Sequence, residues 1–168
     1  GRFSHQYLSP KNAAEHDNTE AMNGVGIIYL YGLGREVDLK AAEKYFNFAN
    51  NLGDKDAKNN LGELYRIKND NATAEYWFKL AINDYPYKAY EGLSKIYIEQ
   101  GDYKEAYEYT VKATELNNVE AEYNLGVFYE KGIYVQKDIQ KAIFWYKKAA
   151  KQGHKDAINN LNVIASLN

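Results

Sequence analysis

The chain repeats one pattern after an interval of one hundred residues. Residues 21–32 read AMNGVGIIYLYG and residues 121–132 read AEYNLGVFYEKG, with Ala, Gly, Tyr and Gly at the same places. The correspondence continues to Ala57 and Ala157 through aligned aromatic, alanine and glycine residues. Self-similarity at a fixed interval is typical of proteins built from stacked repeats, in which each repeat packs against its neighbours.

Four tandem repeats account for the interval. Ala21 and Ala57 are 36 residues apart, as are Ala121 and Ala157, and two repeats of 32 residues lie between them. We therefore predict a single repeat domain over residues 1–168. Its repeats extend over about 21–56, 57–88, 89–120 and 121–156, with an N-terminal partial helix at 9–17 and a C-terminal cap helix at 157–168.

Each repeat contains the pattern of two helices. In the first, Ala, Leu or Val, Gly or Ser, and Tyr recur at i, i+4, i+5 and i+8, which is one face of a helix. The second carries alanines and aromatic residues, as in AEYWFKLA at 74–81. Small residues let two helices approach closely while large rings fill the space between pairs, so the pattern predicts an all-α stack of helical hairpins.

Turn chemistry supports this division. Glycines fall between the two helices of a repeat at Gly32, Gly34, Gly101 and Gly132, and between repeats at Gly53 and Gly153. Such positions favour a left-handed backbone. Asp38, Asp102 and Asp138 are placed to cap the second helices, whereas the second repeat reads KNDNAT there and predicts Asp70 or Asn71 as its cap.

Composition and motifs argue against several classes of function. The net charge of −2 offers no basic excess for a phosphate backbone, so we predict no nucleic-acid binding. No apolar run is long enough for a membrane helix, and the absence of cysteine excludes disulfides and thiolate metal sites. His5, His16 and His154 have no partners at metal-ligand spacing, and no nucleotide-binding loop is present. We therefore predict no enzymatic activity, no metal, no cofactor and no small-molecule ligand.

The residues that carry the repeat resemble a known family. AEYNLGVFYEKG followed by KDIQKAIFWYKKAAKQGHKDA, at 121–157, is similar to the Sel1-like repeat (SLR), a relative of the tetratricopeptide repeat (TPR). The third repeat, with GDYKEAYEYTVKATEL, is closer to a TPR. The resemblance implies a right-handed superhelical solenoid that binds a protein or peptide as an adaptor, scaffold or inhibitor, including bacterial roles in secretion or toxin immunity. It favours the periplasm or export over the cytoplasm, and we expect any export signal to lie outside a sequence that begins with Gly1.

In related repeats the first helices line a concave binding face, and the matching positions can be carried over. The partner-binding residues that this implies are Asn23, Ile27 and Tyr31 in the first repeat, Asn59, Asn60, Glu63 and Arg66 in the second, Lys88, Glu91 and Lys95 in the third, Tyr123, Asn124, Val127 and Lys131 in the fourth, and Asn160 in the cap helix. Leu30, Ile98, Glu99 and Glu120 belong to the same set. All such positions together contain eight acidic and four basic residues. This negative balance of charge favours basic or neutral peptides as ligands.

Several of these residues have two interpretations. Asn60, Asn124 and Asn160 occupy one repeat position and could clamp a peptide backbone, although bonding to a neighbouring helix is the interpretation we favour. Tyr31 and Tyr123 are candidate binding anchors. His154 is expected to be a solvated turn residue, as is His16.

The seventeen tyrosines leave further alternatives. Eight occupy repeat positions that predict core packing, namely Tyr29, Tyr45, Tyr65, Tyr76, Tyr97, Tyr109, Tyr129 and Tyr146. Tyr85, Tyr87 and Tyr90 crowd one junction and form either an exposed patch or, as we favour, a packed joint. The tyrosine excess is also the one indication of an alternative function, a glycan-binding or envelope scaffold.

Overall fold

The computed structural model describes residues 18–167, and every regular element in that range is an α-helix. The helices are α1 Thr19–Tyr31, α2 Leu39–Asn51, α3 Ala57–Ile67, α4 Asn71–Ala81, α5 Pro86–Gln100, α6 Tyr103–Glu115, α7 Val119–Lys131, α8 Ile139–Lys151 and α9 Lys155–Ser166. The predicted all-α class is confirmed. The predicted partial helix at 9–17 lies outside the described residues.

The helices pair in chain order into hairpins, one for each predicted repeat. The hairpins are α1–α2, α3–α4, α5–α6 and α7–α8, and α9 packs on α8 as the final helix. The chain falls into two compact units that divide between Tyr85 and Pro86, so that two hairpins belong to the first unit and two hairpins with α9 to the second. The single repeat domain stays a prediction.

Aspartate caps begin three of the four second helices. Asp38 and Asp138 accept hydrogen bonds from the backbone N–H groups of Ala41 and Lys141, each at 3.0 Å. In the second repeat Asp70 does the same, whereas the carboxylate of Asp102 accepts no bond from the first turn of α6. The prediction for Asp102 is therefore wrong. The backbone of Asp102, at φ −83° and ψ 69°, is close to that of Asp70, at φ −98° and ψ 76°, which does cap its helix, so the difference lies in the side chain and not in the backbone.

Three left-handed turn positions of the described residues contain no glycine, and one of them is Tyr134, at φ 61°, which aligns with Gly34. All six predicted turn glycines have positive φ. Asn69 takes the left-handed conformation at φ 61° in the turn between α3 and α4, and Asn117 does so at φ 58° before α7. Asparagine tolerates this region better than other non-glycine residues do. The KNDNAT turn therefore has a left-handed residue, as the equivalent turns of the other repeats do, although it contains no glycine.

Where the two helices of a hairpin come closest, a small residue on one helix packs against a side chain of complementary volume on the other. A Cβ on Gly126 would lie 2.5 Å from the ring of Tyr146, so only glycine fits against that ring. The third repeat solves the same problem differently: Ser94 replaces the glycine and Thr110 replaces the ring. Their hydroxyl oxygens are 2.6 Å apart and both side chains are buried. The two side chains fill the space between the helices, and each hydroxyl has a hydrogen-bond partner.

Of the eight tyrosines predicted to lie in the core, three are buried, four are half-buried and one is exposed. Tyr76 is 58% exposed, and Trp77 occupies the inward position of α4 instead. The reason is helical register: Trp77 lies three residues after the buried Ala74 and shares its face, whereas Tyr76 lies two residues after it and does not. Tyr45 and Tyr146 are buried, and Tyr97 is 9% exposed.

Two glycines of α1 provide a matched test of this packing. A Cβ on Gly26 would collide with the Phe46 ring, whereas a Cβ on Gly24 would meet no atom within 4 Å. Gly24→Ala should stabilise the fold by about 0.5–1 kcal/mol through helix propensity. Gly26→Ala should destabilise it by about 1–3 kcal/mol because overpacking outweighs the same gain. Urea denaturation of both variants measures the difference, and equal effects would show that the ring does not set the helix separation.

Candidate partner-binding surface

A recurring pair joins the first helix of one repeat to the start of the next repeat's first helix. One member lies two residues after a repeat alanine, and the other lies three residues before the next repeat alanine. In the first unit, Asn23 Nδ2 donates to Asp54 Oδ1 at 2.5 Å. In the second unit, Asn118 Nδ2 donates to Glu91 Oε2 at 2.6 Å, while Asn118 Oδ1 caps α7. We call these contacts the inter-repeat pairs.

The last inter-repeat pair is aromatic. The rings of Tyr123 and His154 stack with centroids 4.4 Å apart and planes inclined by 16°. His154 Nδ1 accepts from the N–H of Ala157 at 3.2 Å and so caps α9, which leaves Nε2 as the nitrogen that donates to Glu120 Oε2 at 2.9 Å. The prediction of a solvated His154 is wrong, because capping, stacking and the Glu120 contact leave its side chain only 13% exposed. Its position three residues before Ala157 was the available signal.

These pairs include three of the side chains predicted to bind a partner, Asn23, Glu91 and Tyr123, and a fourth, Asn59, is bonded to the backbone. Asn23 and Asn59 are buried, at 6% and 4% exposure. Asn59 Nδ2 donates to the backbone oxygen of Tyr85 at 3.2 Å, within the first unit. Glu91 and Tyr123 are half-buried in their pairs, and burial is the main cause that raises the pKa of Tyr123. Repeat cohesion therefore uses a row of positions that was predicted to face a ligand.

The three equivalent asparagines differ in their bonding. Asn60 Nδ2 donates to Asn23 Oδ1 at 3.1 Å, across to the preceding first helix. Asn160 lies near the hydroxyls of Tyr123 and Tyr146, where it opposes the rise in their pKa that burial causes. Asn124 makes no side-chain hydrogen bond to any described residue. Asn60 thus joins two neighbouring first helices, whereas Asn124 presents an amide with no partner in residues 18–167.

In the first unit, predicted surface residues gather on α1 and α3. Arg66 donates to both carboxylate oxygens of Glu63, with distances of 2.9 Å from Nε and 2.7 Å from Nη2. Tyr31 is 51% exposed and lies beside them; partial burial and the Glu63 carboxylate raise its pKa. Ile27 is half-buried, and Leu30 belongs to the core instead of the surface, at 4% exposure.

In the second unit, predicted residues of α5 and α7 enclose a groove of about 450 Å³. It is lined by Glu91, Lys95, Ile98, Glu99, Glu120 and Asn124, all of which belong to the predicted set. We call it the α5–α7 groove. Of the remaining predicted residues, Lys88 and Lys131 are exposed, whereas Val127 packs against the buried cluster around Tyr146.

The tyrosine-rich junction was predicted to be either a packed joint or an exposed patch, and it has features of both. The Tyr90 ring packs against Tyr109 of its own hairpin, with centroids 6.1 Å apart, whereas Tyr85 remains 37% exposed. Neither a packed joint nor an exposed patch describes the whole run. Among the described residues, no group of three acidic or histidine side chains could hold a metal ion, and no helix is long and apolar enough to cross a membrane.

Comparison with known protein families finds the same repeats. The Sel1 repeat model matches residues 19–54, 55–84 and 119–154. A tetratricopeptide repeat model matches residues 87–120, which is the repeat whose sequence is closer to a TPR. The resemblance drawn from the sequence is confirmed.

Known relatives share the repeat over part of their length. The ERAD-associated E3 ubiquitin-protein ligase component HRD3B of Arabidopsis thaliana is 27% identical over 134 residues, which are 77% of this chain and 16% of that protein. The chitin synthase regulator SKT5 of Saccharomyces cerevisiae is 27% identical over 137 residues, 74% of this chain and 19% of that protein. The chain thus spans less than a fifth of the length of either relative.

A solved structure supports the fold. The crystal structure of c5321, a protective antigen of uropathogenic Escherichia coli with an SLR fold, matches with a TM-score of 0.76 and 27% identity. The match covers 95% of this chain and 36% of that chain. Together with the all-helical hairpins, it confirms the predicted helical-repeat solenoid class.

Two cap asparagines one hundred residues apart test the inter-repeat pairs. Asn18 and Asn118 accept equally short bonds, 2.9 Å, from Ala21 N and Ala121 N, but Asn118 also donates to Glu91. Asn18→Ala should cost about 0.5–2 kcal/mol as a lost cap. Asn118→Ala should cost about 1.5–3 kcal/mol more, because it also removes a charge-assisted bond. Chemical denaturation gives both values, and equal costs would mean that the pair adds nothing to the cap.

A tyrosine between repeats gives a pH dependence of known sign. The Tyr65 hydroxyl donates to the Glu43 carboxylate, and this bond is the largest cause that raises its pKa from 10.0 to about 12. The neutral phenol is the form that donates, so its stabilisation is complete below pH 10 and is lost as pH rises towards 12.

Tyr65→Phe should therefore be less stable than the wild type at pH 8, and the gap in unfolding free energy should close between about pH 10 and 12. Urea denaturation across this range measures the gap. Tyr76→Phe is the control, because it removes the hydroxyl group of an exposed tyrosine. A gap that stays constant with pH would contradict the contribution of the Glu43 bond.

Proposed function

Because this chain belongs to the Sel1 repeat family, whose members are generally non-enzymatic protein-interaction scaffolds, we propose that it binds a partner protein or peptide through the exposed faces of its first helices. The relatives support this class by their names, since one is a component of a ligase and another is a regulator of a synthase. Repeat scaffolds share a fold and differ in the surface that each displays, so the argument for this chain depends on its own residues.

The α5–α7 groove is the observation that supports the proposal most directly. It lies on the first helices of two successive repeats and combines carboxylate, ammonium, amide and aliphatic groups within about 450 Å³. A concave surface with a few polar groups is where specific binding is expected. Asn23 and Tyr123 are already used between repeats, so the working surface is the remainder of the first-helix face, and it includes the part of Glu91 that lines the groove.

Within this class the chain acts as an adaptor or as an inhibitor of its partner, and toxin immunity and secretion are the bacterial roles we propose for it. All of these use the same kind of surface, and the identity of the partner separates them. A glycan-binding or envelope role is the alternative. The six residues that line the groove include no aromatic ring on which a sugar could stack, and the Tyr123 ring is already stacked on His154. Proteins therefore remain the favoured ligands.

Site-specific photocrosslinking tests the proposed surface. A benzophenone amino acid is placed at Lys95, exposed on α5, or at Lys104, exposed on the second helix α6. In lysate of the source cells, position 95 should give a discrete crosslinked partner, whereas position 104 should give none or much less. Both side chains are exposed lysines of one hairpin, so expression and folding effects should be similar.

The opposite result has a clear meaning. A partner that crosslinks from position 104 and not from position 95 would place binding on the second helices and contradict the proposal. Circular dichroism and thermal melting of both variants confirm that each chain is folded. Mass spectrometry of the crosslinked band identifies the partner and so distinguishes adaptor, secretion and immunity roles.

A further inference from the structure

The α5–α7 groove concentrates negative charge. Three of its six lining residues are glutamates and one is lysine, so the lining carries −2, which equals the net charge of the whole 168-residue chain. Carboxylates along a concave surface raise the local concentration of cationic groups and repel anionic ones. The charge of the groove therefore favours a partner segment that carries positive charge.

Two of the three carboxylates are held in place by the inter-repeat contacts. Glu91 Oε2 accepts from Asn118 at 2.6 Å, and Glu120 Oε2 accepts from His154 at 2.9 Å. Each glutamate therefore uses one oxygen to join repeats, while its side chain lines the groove. Groups that are ordered before binding lose less conformational entropy when a ligand arrives. The contacts that connect the repeats also preorganise the acidic lining.

Asn124 supplies a second, independent feature. Its equivalent Asn60 donates to Asn23, the residue two places after the alanine of the preceding repeat. The residue at that place for Asn124 is Glu91, which accepts from Asn118 and not from Asn124. The Asn124 amide lines the groove with both a donor and an acceptor, and no described residue satisfies either. A peptide group has the complementary acceptor and donor.

The aliphatic part of the lining suits the stem of a long basic side chain. Ile98 lies between Lys95 and Glu99 on α5 and offers apolar surface beside carboxylates. Lysine and arginine bury their methylene stems along apolar surface while their charged ends remain at polar groups. A simple metal ion would use none of this apolar surface, and an anion would meet three carboxylates.

We propose that the α5–α7 groove binds an extended segment of the partner protein and receives one Lys or Arg side chain among Glu91, Glu99 and Glu120. Asn124 bonds to the main chain of that segment. Lys95 limits the positive charge that the groove accepts and so favours a single basic residue over a basic cluster. This inference rests on the proposed function and specifies the chemistry of the partner.

Selection from a random library of linear nine-residue peptides, displayed on phage and panned against the full chain, provides the probes. The enriched peptides are synthesised with a fluorescent label, together with copies in which norleucine replaces each Lys or Arg. Fluorescence anisotropy then gives each Kd. Enriched peptides should share one basic residue, and its replacement by norleucine should weaken binding by about tenfold.

Substitutions in the groove should change affinity in opposite directions. Glu91→Gln, which can still accept from Asn118, should weaken basic peptides by about tenfold, and Lys95→Gln should tighten them a few-fold. Glu108→Gln on α6, an exposed glutamate outside the groove, is the matched control and should change nothing. Asn124→Ala should weaken the basic and norleucine peptides by the same factor, because it acts on the main chain. Melting curves confirm that each variant is folded.

The results separate this inference from the function beneath it. Enriched peptides without a basic residue would overturn the inference, and so would a Kd that Glu91→Gln and Lys95→Gln leave unchanged. In either case, successful crosslinking from position 95 would still support the proposed function. No enriched peptide, with successful crosslinking from position 95, would also overturn it, since the partner would then present a folded surface. Failure of that crosslinking as well would contradict the proposed function itself.

Discussion

The structure depends on how each first helix begins. A helix leaves its first N–H groups without partners inside the helix, and a side chain must satisfy them or they stay exposed to water. In the second unit the residues that do this also contact the preceding repeat. Asn118 caps α7 and donates to Glu91, and His154 caps α9, stacks on Tyr123 and bonds Glu120. For α7 and α9, the same side chains thus initiate the helix and stack the repeats.

This double use determines what remains for a partner. Once Asn23 and Tyr123 are engaged between repeats and Asn59 is bonded to Tyr85, the first-helix face retains fewer side chains than a count of its positions suggests. Glu91 belongs both to the pair with Asn118 and to the lining of the α5–α7 groove. A change in one inter-repeat pair therefore changes the ligand surface beside it, which explains how repeats with one fold can display different surfaces.

Two errors of sequence interpretation share a physical cause. Tyr76 was assigned to a repeat position in the core, but that position, three residues after the repeat alanine, belongs to Trp77, because a helix presents one face only. His154 resembles a surface residue when read alone and is recognised as a cap only when aligned with Asn118. In both cases the exact position within the repeat was the better guide.

The sequence by itself determined the repeats, their helical pairs, most of their caps and the family, because these depend on local spacing and on contacts that recur in every unit. It also identified all six residues that line the α5–α7 groove. Only the tertiary structure decided which polar side chains of the first helices are already satisfied. Asn60 and Asn124 occupy one position in the repeat, yet Asn60 bonds to the preceding first helix and Asn124 bonds to no described residue. That difference depends on the residue that each one meets on the neighbouring helix, about one repeat away in the chain, and the spacing within a single repeat does not contain it.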